Sequence, residues 1–262
     1  MRALHTAATG MMAQEINVQV ISNNIANMRT TGYKRQRAEF QDLLYQQVTR
    51  VGTQTSSQGN ILPAGIELGS GVKTVGTPRL MTQGELTQTG KDFDVAIRGE
   101  GFFKITLPDG RTAYTRDGSF ELDNQGRLVT AQGNLVQPGI TIPQNAMSTT
   151  INSQGQVFVT QPGSTNPSQV GQIELAIFVN KAGLQSMGDN LYLETPASGA
   201  PQSGNPQTDG FGNLQQGYLE QANVEAVSEI SDLIAAQRAY EMNAKVITAA
   251  DQMLSTTSNL MR

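Results

Sequence analysis

Four groups of residues have types and spacings that could do chemistry. Gly84 and Gly90, followed by Lys91, outline a phosphate-cradling loop, in which backbone N–H groups would hold an anion and the lysine would reach the phosphates. Five residues separate the two glycines where such a loop has four, and Asp92 stands where a Ser or Thr would hold magnesium. Ser70 and Lys73 have the Ser-x-x-Lys spacing of acyl-enzyme hydrolases, a chemistry that wants both side chains on one turn of helix together with companion motifs. Glycines surround the pair and the companions are missing. Asp92 and Asp94 would share one face of a strand, as paired carboxylates do at metal or acid–base sites; beside Phe93, Val95 and Ile97 they are expected on a strand's polar outer face. Arg29, Lys34, Arg35 and Arg37, with Tyr33 among them, could touch phosphates, but a solvated turn just past a helix is the expectation for one basic cluster in an acidic chain.

The remaining equipment is sparse. There is no cysteine and no tryptophan, and His5 is the single histidine, expected at the surface. Disulfides, thiolate metal sites and cysteine nucleophiles are therefore excluded, and general-base or zinc chemistry has little imidazole to work with. No catalytic residue, cofactor or metal is expected. The net charge of −4 favours neither nucleic acid nor an anionic membrane as partner. Gln14, Glu15, Asn17 and Gln19 interrupt any apolar run near the N-terminus, so neither a membrane span nor a cleaved signal peptide is expected.

Elements must position whatever these residues do, and the two ends read as helix. Leu4, Met11, Val18 and Ile25 recur every seven residues in a stretch free of proline, with Gly32 expected to end the helix. The intermediate positions Ala8, Glu15 and Ser22 are small or polar, which makes this a poor isolated coil. Toward the other end, Asn223 can cap, Glu225 sits in the first turn, and no Gly or Pro follows. A helix of almost forty residues, roughly 57 Å long, follows from the standard rise. Along it Leu233, Tyr240, Ile247, Leu254 and Met261 are seven apart, and Val246, Met253 and Leu260 form a second stripe one position earlier. Residues 1–50 carry a balance of +3 and residues 220–262 a balance of −3, which suits pairing of the termini.

The middle reads as strands and turns. Pro108-Asp109-Gly110, Asp123-Asn124-Gln125-Gly126 and Gln132-Gly133-Asn134 separate short β-branched and aromatic runs at 102–107, 112–115, 119–122 and 127–130, followed by 156–160 and 172–179. The fold class is therefore α+β, with terminal amphipathic helices packing as a coiled-coil-like inner domain around a central all-β domain. The expected boundaries are an N-terminal helix over 1–32, an extended connecting region over 33–84, the β domain over 85–205, a return connection over 206–222 and the C-terminal helix over 223–262. Two amphipathic ends that cannot complete a core alone are the pattern of a polymer subunit, with the ends disordered in the monomer and helical in the assembly. The rival reading is an enzyme or carbohydrate-binding module on the β domain with a helical oligomerising stalk; residues 85–210 offer no histidine and only scattered carboxylates for it.

Three separated stretches carry a family likeness. Residues 22–34, Ser-Asn-Asn-Ile-Ala-Asn-Met-Arg-Thr-Thr-Gly-Tyr-Lys, resemble the N-terminal signature of bacterial flagellar rod and hook proteins. Residues 235–245, Ala-Ala-Gln-Arg-Ala-Tyr-Glu-Met-Asn-Ala-Lys, with Asp251-Gln252-Met253-Leu254, are similar to the matching C-terminal signature, and Gly101-Phe102-Phe103 and residues 114–120 agree in the middle. The likeness covers nearly the whole chain. Length, the short β region and residues 46–73 are most similar to the distal rod branch, while proximal rod and hook members share the terminal motifs. The resemblance implies a structural subunit that is not an enzyme and that polymerises with itself. It implies export through the flagellar type III apparatus and assembly in the periplasm under a rod cap, between proximal rod proteins and hook protein and inside a ring bushing. Leu4, Met11, Val18, Ile25, Asn23, Asn24, Asn27, Gly32, Leu233, Gln237, Arg238, Tyr240, Ile247 and Leu254 are the residues expected to carry subunit assembly.

Overall fold

The structure is a computed structural model, which describes residues 2–51, 64–163 and 166–260. Residues 52–63 of the expected connecting region lie outside the described residues. The chain divides into two compact units.

The first unit takes residues from 2–25, 36–78 and 225–260. Helix α1 spans Arg2–Ala26 and helix α2 spans Ala226–Leu260. They run antiparallel, because Asn24 near the end of α1 bonds Glu229 in the first turn of α2, while Gly10 faces Asn243. Two antiparallel ladders complete the unit, Glu39–Asp42 with Val72–Gly76 and Tyr45–Thr49 with Ile66–Gly69. The second of these is exposed along nearly its whole length and carries Tyr45, Val48, Ile66 and Leu68 in the open.

The second unit, from 26–35 and 79–224, is the β body. A nine-stranded antiparallel sheet runs in the order Gln185–Gly188, Leu191–Leu193, Thr112–Thr115, Phe102–Thr106, Leu135–Val136, Leu128–Thr130, Phe120–Leu122, with Leu175–Ile177 and Gln202–Gly204 branching from Phe102–Thr106. Adjacent Phe102 and Phe103 point to opposite faces of one strand. Phe103 meets Phe120 edge-on at 5.0 Å in the main core, and Phe102 joins Tyr114, Phe178 and Tyr192 in a second one. Both faces are covered at the start of this strand, so Phe102 and Phe103 are both buried, and alternation returns with Lys104, Ile105 and Thr106. Asp189 and Asn190, at φ of 50° and 58°, make the two-residue reverse turn before Leu191–Leu193, a conformation that Asn and Asp tolerate. Gly118 is required for closeness alone, since a Cβ there would lie 1.7 Å from the Val95 carbonyl oxygen.

Several expectations change. Residues 206–222 are no mere return connection: Asn213–Gln216 pairs with Val95–Arg98, and Tyr218–Glu220 pairs with Leu86–Gln88. The expected strand over 172–179 divides into Ser168–Gln172 and Leu175–Ile177, with the Ile173 amide turned to the Gly155 carbonyl. Asp94 is buried at the start of Val95–Arg98, where its backbone accepts from Gly217, so Asp92 and Asp94 do not share an outer face. Asn223 does not cap α2. Its side chain is spent on the Leu80 and Thr82 carbonyls and on the Arg35 amide, and the helix starts three residues later. Gly32, at φ of 68°, does not end α1 directly; α1 stops at Ala26, and Gly32 sits where a Cβ would come within 2.7 Å of the Asp117 nitrogen.

Candidate functional site

The first candidate is the surface of the helix pair. Along α2 the buried residues Glu229, Ala236 and Ala250 fall on one seven-residue row that also contains Asn243, and α1 answers with Ala7, Ala13, Val20, Ile21 and Asn24. Small side chains bring the two backbones close, and Gly10 shows how close: a Cβ there would meet the Asn243 side chain at 2.9 Å. One end of this seam is polar. The Asn24 amide donates to the Gln36 carbonyl at 2.9 Å and to Glu229 Oε2 at 3.1 Å, and accepts from the Gln36 N–H at 2.9 Å. Glu229, 1% exposed, lies in the first turn of α2, where the helix dipole favours a carboxylate. A buried amide with this many directional partners fixes the register of the helices and of the chain beside them.

The rows of larger residues lie beside this seam. Leu4, Met11, Val18, Ile25, Leu233 and Ile247 are half-buried; Tyr240 and Leu254 are exposed. Gln237 and Tyr240, with Glu15, Val18, Gln19 and Glu241, line a groove of about 530 Å3 between the helices. Arg238 pairs with Glu241 at 2.8 Å in the open, a bond worth under about 1 kcal/mol. Val246, Met253 and Leu260 are all exposed, Leu260 by 82%, and beyond Ala250 every described residue of α2 is exposed. Fully burying each such side chain would contribute about 1.5–3 kcal/mol. Asn23 lies on the exposed side of α1 near its end, and Asn27 accepts from the Thr30 hydroxyl at 3.2 Å in the turn after it.

The second candidate lies in the β body, and sequence reasoning missed it. Lys34, taken for part of a solvated basic turn, is 0% exposed. Its ammonium donates to Glu220 Oε1 at 2.5 Å and to the Thr82 carbonyl at 2.7 Å. Glu220 Oε1 also accepts from the Gly84 amide at 2.9 Å, which gives the glycine of the rejected phosphate loop a structural use. Arg116 completes the cluster, with Nε 3.3 Å from Glu220 Oε2 and its other nitrogens on the Gly99 and Gly101 carbonyls at 2.9 Å. Burial holds the Lys34 ammonium below the ordinary lysine value, against the pull of Glu220, and burial lowers Arg116 in the same way. The one sequence signal was a run of basic residues followed far along by a lone Glu220 in an apolar strand. Among the described residues no group of three or more His, Cys, Asp or Glu could hold a metal ion, and no helix is long and apolar enough to cross a membrane.

Three family models match in chain order. A flagella basal body rod protein model covers residues 4–34, the flagellar hook protein FlgE/F/G D1 domain covers 96–159, and the flagellar basal body rod FlgEFG protein C-terminal model covers 215–260. Among curated relatives, the flagellar basal-body rod protein FlgG of Caulobacter vibrioides is 58% identical over 99% of both chains. The protein of the same name from Agrobacterium fabrum is 50% identical over the whole of both, and that from Buchnera aphidicola of Schizaphis graminum is 49% identical over 98% of this chain and 99% of its own. A helix pair with exposed apolar side chains, an antiparallel β body and this end-to-end similarity place the chain in the flagellar basal-body rod protein family, as a structural component of the rod.

Proposed function

We propose that the chain is the repeating, non-enzymatic subunit of the distal rod, a rigid shaft built by self-association through α1 and α2. The observation that carries this reading is the number of large apolar side chains that α2 leaves exposed, with Tyr240 on one flank of the seam, Val246, Met253 and Leu260 on the other, and Val227 and Ile234 further round the helix. So many large apolar side chains in water on one helix are costly, and neighbouring copies packed on more than one side of it would remove them from water. Leu4, Met11, Val18, Ile25, Leu233, Gln237, Arg238, Tyr240, Ile247 and Leu254 flank the intrachain seam, where neighbouring copies would pack. Asn23 lies on the exposed side of α1, Asn27 and Gly32 belong to the turn that leaves it, and Asn24 serves the intrachain register that such packing needs.

Family membership supports export through the flagellar type III apparatus and assembly in the periplasm under a rod cap. Proximal rod proteins below, hook protein above and the ring bushing around the shaft are the proposed neighbours. Residues 46–73, whose described part includes most of the exposed second ladder, serve in this reading as a brace between copies. The test is negative-stain electron microscopy of concentrated full-length protein. Rods are expected. Discrete particles at every concentration, with the helices formed, would overturn the proposal.

A further inference from the structure

The chain passes between the two units at four points, and two of the segments at these crossings adjoin the helices: residues 26–35, incoming from α1, and residues 220–224, outgoing to α2. One carboxylate serves both. Glu220 stands on the outgoing segment and binds Lys34 on the incoming one, across 186 residues of sequence. Around them the Gly32 amide donates to the Glu220 carbonyl at 2.8 Å, the Arg35 amide to Asn223 Oδ1 at 2.7 Å, and the Leu80 amide to the Arg35 carbonyl at 2.8 Å. Arg116 then ties the carboxylate to the sheet through Gly99 and Gly101.

The cluster is poorly designed for stability alone. Two cations share one anion away from water, and Glu220 Oε2 has no hydrogen-bond partner among the described residues. Apolar side chains of similar volume would fill the space without the desolvation cost. Directional bonds supply what apolar packing does not: one geometry, which is satisfied only when both segments are in place. We propose that Glu220, Lys34 and Arg116 form a clasp that makes the incoming and outgoing segments a single cooperative unit. Neither segment detaches from the β body alone. Glu220 and Lys34 act here as positioning residues, and the inference holds whatever the helices assemble with.

Native-state hydrogen exchange of the full-length chain tests it. In the wild type the amides of Gly32 and Arg35 on one side and Gln221 on the other should share one opening equilibrium and one denaturant dependence. Glu220→Gln should speed exchange at all three by the same factor, roughly tenfold to a hundredfold, and leave Val159 in the strand Gln156–Thr160 unchanged. Lys34→Met should give the same pattern from the other end. The proposal is overturned if Gly32 and Arg35 keep their protection while Gln221 loses it. It is equally overturned if the two sides open independently in the wild type, a measurement that needs no variant to fold.

Discussion

Lys34 shows how far a residue's environment outweighs its type. Its ammonium is taken out of water and paired with a carboxylate that Arg116 also claims. Because burial lowers its folded-state pKa below 10.5, the unfolded chain binds the proton more tightly. The associated stability is therefore fully present above pH 10.5 and is lost as the pH falls through the lowered folded-state value. Lys34→Met abolishes this dependence. In denaturant titrations from neutral pH to 10.5, the wild type should gain stability relative to Lys34→Met as the pH rises. No gain, or a loss, of wild-type stability relative to Lys34→Met as the pH rises would show that folding does not weaken the hold of Lys34 on its proton.

At the scale of elements, the helix pair is inverted relative to an ordinary coiled coil. Glycine, alanine and asparagine line most of the seam, with Val20, Ile21 and Glu229 toward one end, and the larger apolar residues of the seven-residue rows stand beside it or outside. The pair can form within one chain and still present a long surface that gains by association. Leu233 and Ile247, half-buried in one chain, become fully buried if a second copy covers that flank. Each changed to Ala should then cost about 2–5 kcal/mol in the assembly. The Leu233→Ala, Ile247→Ala double variant is expected to keep a folded β body by near-ultraviolet circular dichroism and to sediment as monomer. Shafts of normal length from this variant would reject that surface as the assembly interface.

For the molecule as a whole, the ladder of Tyr45–Thr49 with Ile66–Gly69 is the part least explained by its own chain. An isolated two-stranded ladder is marginally stable in water, and this one leaves Leu44 88% exposed beside it. Its inner neighbour, Glu39–Asp42 with Val72–Gly76, is tied on by the Leu43 amide and the Gly71 carbonyl at 2.8 Å. Deleting about residues 46–65 should spare that inner ladder, since Tyr45 already lies opposite Gly69 and a short loop can close the gap. Subunits without the segment should still polymerise and give curved or flexible shafts, scored by filament curvature in electron micrographs. Straight shafts of unchanged stiffness would make the segment a linker.

Features that neighbouring residues decide among themselves were legible along the chain. Seven-residue periodicity marked both helices, and turns such as Asp123-Asn124-Gln125-Gly126 marked the strands around them; family membership was legible from motifs at 22–34 and 235–245. Tertiary structure alone decided the rest. Whether Lys34 meets water or a carboxylate depends on Glu220, and Asn223 left its capping role because the Leu80 carbonyl and Arg35 amide came within reach. Which row of α2 is buried was likewise open, because periodicity marks several rows and does not say which one a partner covers. Ala236 and Ala250 won that place because closeness of two backbones, which no single helix encodes, favours the smallest side chains.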